Sequence, residues 1–307
     1  MRILVTGGAG FIASHIVDAY LGLGHVVSVI DNLSSGQEKF INPAAHFYKA
    51  DITDAAALKD LFSREKPEVL NHHAAQMEVR RSVSDPKFDA QVNIIGLLNL
   101  METGKNHGLK KVIFASSGGA IYGDADILPT PENFPVRPAS PYGVSKFTSE
   151  LYLDFYAQTY GLPFVALRYG NVYGPRQNPH GEAGVVAIFT EKLLAGESPV
   201  INGDGEQARD FVFVTDVVNA NVRALEQTEK LQVNIGTGQK TTVNTIFQEL
   251  VKLTGSTARE THGPAKPGEQ RVSVLKTELA QSKLAWTPQV TLTVGLARTV
   301  SYFKNEN

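Results

Sequence analysis

Short runs rich in β-branched and aromatic residues, at 2–6, 26–30, 46–49, 68–71, 111–115 and 163–168, alternate along the first half of the chain with longer stretches whose apolar residues fall at helical spacing. Those stretches are 12–23, 55–65, 88–104 and 141–160. Strand, helix, strand at this spacing predicts an α/β fold: a doubly wound parallel sheet with right-handed crossovers, covered by helices on both faces. Past Gly174 the alternation loosens. Pro/Gly-rich connections at 174–176, 203–205, 236–238 and 266–268 separate helices near 185–195, 215–227 and 243–253. The pattern predicts a first domain over 1–174, to which parts of later segments return, and a smaller α/β lobe over 175–307, interleaved with it.

Composition narrows the function classes. The chain has 307 residues, 42% apolar and 20% charged, enough for a sizeable core. Its net charge is −2 and no basic run or stripe is present, which argues against nucleic acid or an anionic membrane as partner and leaves only small anions held locally. Zero Cys excludes disulfides, thiolate metal sites and cysteine catalysis, and fits a cytoplasmic location. No stretch approaches the ~18 apolar residues of a membrane span. His72-His73 is not read as a metal site, because no second cluster has ligand spacing.

Thr6-Gly7-Gly8-Ala9-Gly10-Phe11-Ile12-Ala13 follows a strand and opens a helix, so Gly7 and Gly10 can make a tight turn that lets a pyrophosphate reach backbone N–H groups. Asp31 closes the second strand, where a carboxylate can accept both hydroxyls of an adenosine ribose and repel a 2′-phosphate, which selects NAD over NADP. The sheet is therefore expected to be Rossmann-type. Asp51 and Ile52, after the third strand, either cover the adenine or, for Asp51, belong to the cap of the next helix.

Tyr142 and Lys146 stand four apart after Ser140-Pro141, a cap candidate followed by a proline suited to the first helical turn, so phenol and ammonium share one helix face. A free phenol has pKa ≈ 10, so a phenolate base needs nearby positive charge, which Lys146 and an oxidised nicotinamide would both supply.

Residues 6–13, Asp31-Asn32-Leu33-Ser34-Ser35-Gly36, Tyr142-Gly143-Val144-Ser145-Lys146, 168–176 and Arg209-Asp210-Phe211-Val212, in this order, resemble the extended short-chain dehydrogenases/reductases, and most closely their UDP-galactose (UDP-glucose) 4-epimerases, from residue 1 to about 303. The resemblance implies tightly held NAD, contacted by Gly7, Gly10, Phe11, Ile12, Asp31, Asn32, Ser35, Gly36, Asp51, Ile52, His72, Ala74, Ala75, Asn93, Ser116, Tyr142, Lys146 and Tyr169. It implies a UDP-sugar substrate, with Asn171 hydrogen-bonding the diphosphate, Arg209 neutralising it, Glu269 holding the uridine ribose, and Val185 and Ser273 lining the pocket. A homodimer built on the helices 88–104 and 141–160 is implied as well.

The family also places a Ser or Thr beside the reacting hydroxyl, and here Gly118 occupies that position. Either Ser117 swings in, the reading adopted, or water and Tyr142 suffice. Dehydratases of the family need an acid and a base in the same loop, where this chain has Gly119 and Ala120, and reductases acting on 4-ketosugars use a Cys that this chain lacks. What remains needs only hydride transfer, out and back, and one proton acceptor: C4 epimerisation through a 4-keto intermediate. A small Ser273 suggests that N-acetylhexosamines fit too. UDP-glucuronate 4-epimerisation, or a non-catalytic NAD-binding regulator, are the alternatives.

Overall fold

The computed structural model describes residues 1–180, 184–266 and 270–306. Six strands stand at or within two residues of the expected runs: β1 (Arg2–Thr6), β2 (Val26–Asp31), β3 (His46–Lys49), β4 (Val69–His72), β5 (Lys111–Ser117) and β6 (Phe164–Tyr169). All are parallel, with order β6-β5-β4-β1-β2-β3, so the chain winds outward from β1 one way and then from β4 the other. The loops after β1 and β4 therefore diverge and open a crevice between them, the place where ligands bind in doubly wound sheets.

Alternation along each strand sends side chains to two cores. Ile3 and Val5 join Val17 and Tyr20 of α1 (Phe11–Gly22) on one face. Leu4 and Ile30 join the other face, covered by α2 (Ala55–Glu65) and by the helices that follow β4 and β5. After β4 come α3 (Val79–Ser84) and α4 (Pro86–Ala90), then a π turn (Gln91–Ile95) that runs on into α5 (Gly96–Gly104). The single helix expected over 88–104 is thus interrupted: the π turn inserts an extra residue and swings Asn93 into the interior, at 3% exposure. After β5, the one-turn α6 (Gly118–Ile121) and the long α7 (Pro141–Tyr160) complete this face.

The later chain contributes β7 (Asn171–Tyr173), α8 (Val185–Leu194), β8 (Ile201–Asn202), β9 (Ala208–Arg209), β10 (Phe211–Phe213), α9 (Val214–Ala224), β11 (Leu231–Ile235), β12 (Thr241–Thr242), α10 (Val243–Thr254), β13 (His262–Gly263), β14 (Val272–Ser273), α11 (Glu278–Leu284) and α12 (Leu292–Glu306). Of these, β11 pairs with β6 and completes a seven-stranded sheet, while α9 packs Val217 and Ala220 beside α1. The short strands, which carry too few residues for a periodic signal, form β10-β7, β12-β9-β14 and β13-β8. Phe189, Phe213, Phe247 and Leu296 share a separate core in this part. Among the described residues no helix is long and apolar enough to cross a membrane.

Gly7 holds the crevice open. Its φ is +70°, and a Cβ there would stand 2.8 Å from the Ala74 backbone nitrogen. Gly7→Ala combines a left-handed backbone with a clash against backbone that cannot move aside, so a loss of at least about 2 kcal/mol is expected in urea unfolding; an unchanged midpoint would contradict this packing.

Candidate active site

The crevice is built by hydrogen-bond accounting at the ends of β1 and β4. The Thr6 hydroxyl accepts the N–H groups of His73 (3.1 Å) and Ala74 (3.0 Å), so its own proton goes to His72 Nδ1 at 2.7 Å. Burial, then the Lys146 charge, hold His72 far below its ordinary range, leaving it neutral. The side chain of His72 and the N–H of Ala74 are therefore committed within the protein, and their expected role toward a cofactor is one of shaping the loop; Ala75 follows in the same loop, partly buried. Tyr169, at the end of β6, accepts from Asn221 Nδ2 (2.8 Å) and so donates to His73 Nε2 (3.1 Å), which puts the His73 proton on a buried Nδ1 with no partner among the described residues.

On the other side of the crevice Gly10 caps α1 without a side chain, and Phe11 and Ile12 turn their side chains to the cores, which leaves their backbone as the part available to an anion. Asp31 accepts the N–H groups of Ala9 (3.0 Å) and Leu33 (2.8 Å), and the position of a Cβ on Gly36 lies only 3.0 Å from either carboxylate oxygen. Two of the roughly four acceptor positions of the carboxylate are thereby used and the rest remain for a ribose. Asn32 donates to Asp51 at 2.7 Å, and Ser35 lies exposed beside them. Partial burial pushes the Asp51 carboxyl up, but hydrogen bonds from the Thr53 N–H, the Thr53 hydroxyl and Asn32 leave it below its ordinary value. Asp51 does not cap the next helix: Asp54 does, accepting the N–H groups of Ala56 and Ala57. Ile52 is buried against Gly96 and offers only its backbone.

Two further residues expected at the cofactor have their side chains committed elsewhere. Asn93 Oδ1 accepts from the Gln76 N–H, and its amide donates to Gln76 O, Asp89 and Ser145. Ser116 donates to Glu150 at 2.6 Å. Both are buried supports, because polar groups this deep must find protein partners.

Tyr142 and Lys146 lie on the first turns of α7, started as expected by Pro141 and by Ser140, whose hydroxyl accepts the Gly143 N–H at 3.2 Å. Lys146 is buried; its ammonium donates to Ala115 O at 2.8 Å and lies 4.8 Å over the Phe114 ring and 5.8 Å from the Tyr142 ring centre. Burial lowers Lys146 to about 8 despite the Asp89 and Glu150 charges. The Tyr142 phenol is pushed up to about 12, first by burial, with the Ser117 hydroxyl drawing it down and the Asp89 charge adding to the rise. Burial thus works against ionisation of the phenol, and the sequence reading has Lys146 and an oxidised nicotinamide together supply the positive charge that opposes it. The Ser117 hydroxyl is thus the neighbour that opposes the rise of the phenol. Leu275 takes the space a side chain would need at Gly118, its Cδ1 lying 2.6 Å from that Cβ position.

The opposite wall comes from the short strands. The point where a Cβ would stand on Gly119 is 3.9 Å from both Asn171 Oδ1 and Ser273 Oγ, so these three residues face one space. Ser273 is in register with Arg209 between β14 and β9, which brings Arg209 to the same edge. Arg209 is not paired with its neighbour Asp210, the alternative its sequence position suggested: Asp210 is buried and accepts from the Thr237 N–H (2.6 Å), the Thr237 hydroxyl (2.7 Å), Gly238 (3.0 Å) and Leu275 (3.2 Å). Sequence reading missed this hub, because all its partners are remote. Val185 opens α8 after Gly184, partly buried. Glu269 lies outside the described residues.

A family model described as NAD dependent epimerase/dehydratase family matches residues 3–236. The chain belongs to this family. Within the family, the UDP-glucose 4-epimerase of Mycolicibacterium smegmatis is 46% identical over 313 residues, which span 100% of both chains. The UDP-glucose 4-epimerase of Thermotoga maritima, solved with UDP-glucose, is 50% identical with a TM-score of 0.98, over 100% of this chain and 99% of that one. The Thermus thermophilus UDP-glucose 4-epimerase, solved in complex with NAD, is 41% identical with a TM-score of 0.96 over 100% of both. The family-level resemblance and the Rossmann-type sheet read from the sequence both hold.

Proposed function

We propose that the chain interconverts UDP-galactose and UDP-glucose by inversion at C4 through a 4-keto intermediate, with NAD held throughout. The observation that carries this reading is that the phenol of Tyr142, with Ser117 beside it, is the one proton-transferring group on a floor otherwise made of Gly118, Gly119 and Ala120, facing the wall of Asn171 and Ser273. The crevice fits a dinucleotide: Gly7 leaves a cradle that a Cβ would fill, and the buried Nδ1 of His73 has no hydrogen-bond partner among the described residues. The glycine loop and the start of α1 would hold the diphosphate, and Asp31 the ribose. Bound there, NAD would supply the hydride acceptor and the positive charge that the phenol lacks.

Tyr142 takes the proton of the 4-hydroxyl as the C4 hydrogen leaves, and Ser117 holds the same oxygen. Lys146 fixes the end of β5 through Ala115 O and keeps positive charge near the phenol. Arg209, whose guanidinium can present two N–H groups to a diphosphate, and Asn171 grip the nucleotide and leave the ketosugar free to turn. Tyr142 then returns the proton to O4. Residues 1–174, whose sheet β11 completes, carry the cofactor and the reacting groups, and the rest of 175–307, with Asn171, holds the nucleotide. Incubation with UDP-galactose alone is expected to give UDP-glucose by anomeric proton NMR; no conversion with or without added NAD would contradict the reading.

Ser273 is buried at the sugar wall, and its small side chain leaves room for an N-acetyl group. Ser273→Tyr is expected to lower kcat/KM for UDP-N-acetylglucosamine at least about tenfold while sparing UDP-glucose; equal effects on both substrates would remove the steric argument. The same reading includes a homodimer. Val83, Ile95, Val144, Leu151 and Phe155 lie exposed on α3, the π turn and α7, an apolar face that a second copy would cover. Light scattering is expected to give twice the chain mass.

A further inference from the structure

The charge that balances Lys146 comes from outside its helix. Lys146 faces Ala115 O and the Phe114 ring on β5, His72 and His73 at the end of β4, Asp89 on α4, and Tyr142 and Glu150 on its own helix. Arg80 and Arg81 of α3, which also packs on α7, are exposed. The two histidines are neutral, held down by burial and by Lys146 itself. Glu150 also acts on Lys146, less than Asp89 does, and is shared with Arg168, which grips it with two hydrogen bonds, of 3.0 and 2.7 Å. Asp89 is the larger of the two negative charges acting on Lys146, and it is 1% exposed. Among the described residues no Lys, Arg or His pairs with it; Oδ1 accepts only the amides of Gln76 (3.1 Å) and Asn93 (3.0 Å). A buried carboxylate with two neutral donors and no cation in contact is costly, so its presence needs a reason.

Two observations supply one. Asn93, oriented by Asp89, donates to Ser145 Oγ at 3.1 Å, and Ser145 donates to the carbonyl of Tyr142 at 2.9 Å. The π turn sets Asn93 in that position, and an extra helical residue of this kind recurs at functional sites. Asp89 also acts electrostatically on both members of the dyad. We propose that Asp89 is a positioning residue for the reaction assigned above, a buried counter-charge that keeps the Lys146 ammonium protonated and, through Asn93 and Ser145, fixes the turn that carries Tyr142. The inference rests on the dyad being the catalytic pair. Without the anion, Lys146 would lose its proton at lower pH and the alkaline limb of activity would move down.

The test is the titration of Lys146 in protein labelled at lysine Cε, followed by carbon NMR and assigned by the signal missing from Lys146→Met. In wild type the midpoint is expected near 8. Asp89→Asn keeps the shape and the acceptor for both amides and removes the charge; its midpoint is expected to be lower by about half a pH unit or more. The alkaline limb of kcat/KM for UDP-galactose is expected to fall by the same amount. Should Asp89→Asn not fold, Asp89→Glu and Asp89→Gln, alike in shape and different in charge, give the same comparison, with the lower midpoint expected for Gln. Equal midpoints within either comparison, with or without a loss of thermal stability, would overturn the proposal and leave Asp89 a structural residue. A wild type without epimerase activity would overturn the functional reading alone, since the lysine titration does not depend on the substrate.

Discussion

Tyr142→Phe is expected to lower kcat for UDP-galactose at least about a thousandfold while leaving KM and the folded structure nearly unchanged. The substitution removes one oxygen. Among the described residues no other group on the floor of the site can take the proton, since Gly118 and Gly119 have no side chain, Ala120 no polar atom, and the Ser117 hydroxyl is far too weak a base at neutral pH. Lys146 cannot substitute, because its ammonium is bound to Ala115 O and centred 5.8 Å from the phenol ring. The loss is expected on kcat because, in the proposed reading, Asn171 and Arg209 hold the nucleotide from the other wall. A pH effect of definite sign accompanies it. The Lys146 ammonium, with its pKa lowered to about 8, is present below that pH and lost above it, so wild-type kcat/KM is expected to decline on the alkaline side of pH 8. A Tyr142→Phe protein retaining more than a tenth of wild-type kcat would mean that the proton goes elsewhere.

Glu150→Ala is expected to destabilise the chain by about 3–5 kcal/mol in urea unfolding, the largest stability effect of any single side chain discussed. The Glu150 and Arg168 side chains are 1% and 6% exposed, and they form two parallel hydrogen bonds. Removing the carboxylate leaves a guanidinium in the core with only Tyr122 and the Glu132 carbonyl as acceptors, and strips Ser116 of its partner. The pair also anchors the loop that carries Ser117, through Tyr122 to Asn234 on β11. Because most of the loss comes from the orphaned charge, the double variant Glu150→Leu with Arg168→Met is expected to be more stable than Glu150→Ala. Additive losses would show that the pair contributes through each partner's packing instead.

Much of this architecture is legible in the chain's own pattern. Continuous apolar runs bounded by turns mark six of the seven sheet strands, and the glycine loop with Asp31 locates the crevice, because these features depend on near neighbours in sequence. Ser140-Pro141 announces α7 and so the orientation of Tyr142 and Lys146. What stays hidden depends on remote partners. Leu231–Ile235 is a short apolar/polar alternation with nothing in the sequence to mark β6 as its partner. The interruption of 88–104 by a π turn changes no periodicity that a sequence displays, yet it decides that Asn93 serves as a brace. Asp210 looks like a partner for Arg209 beside it and instead gathers two segments from further along the chain, at 237–238 and 275. Likewise the phenol's position on the helix is evident, whereas the burial that pushes it to about 12 is not.

The most direct test of C4 inversion within one closed site is the fate of a label at the reacting carbon. UDP-galactose carrying deuterium at C4 is converted by the protein in ordinary water, and the UDP-glucose formed is examined by mass spectrometry and NMR. Retention of the deuterium at C4 is predicted, because the hydrogen leaves and returns to the same carbon without meeting solvent. Product in which C4 carries solvent hydrogen would contradict the account.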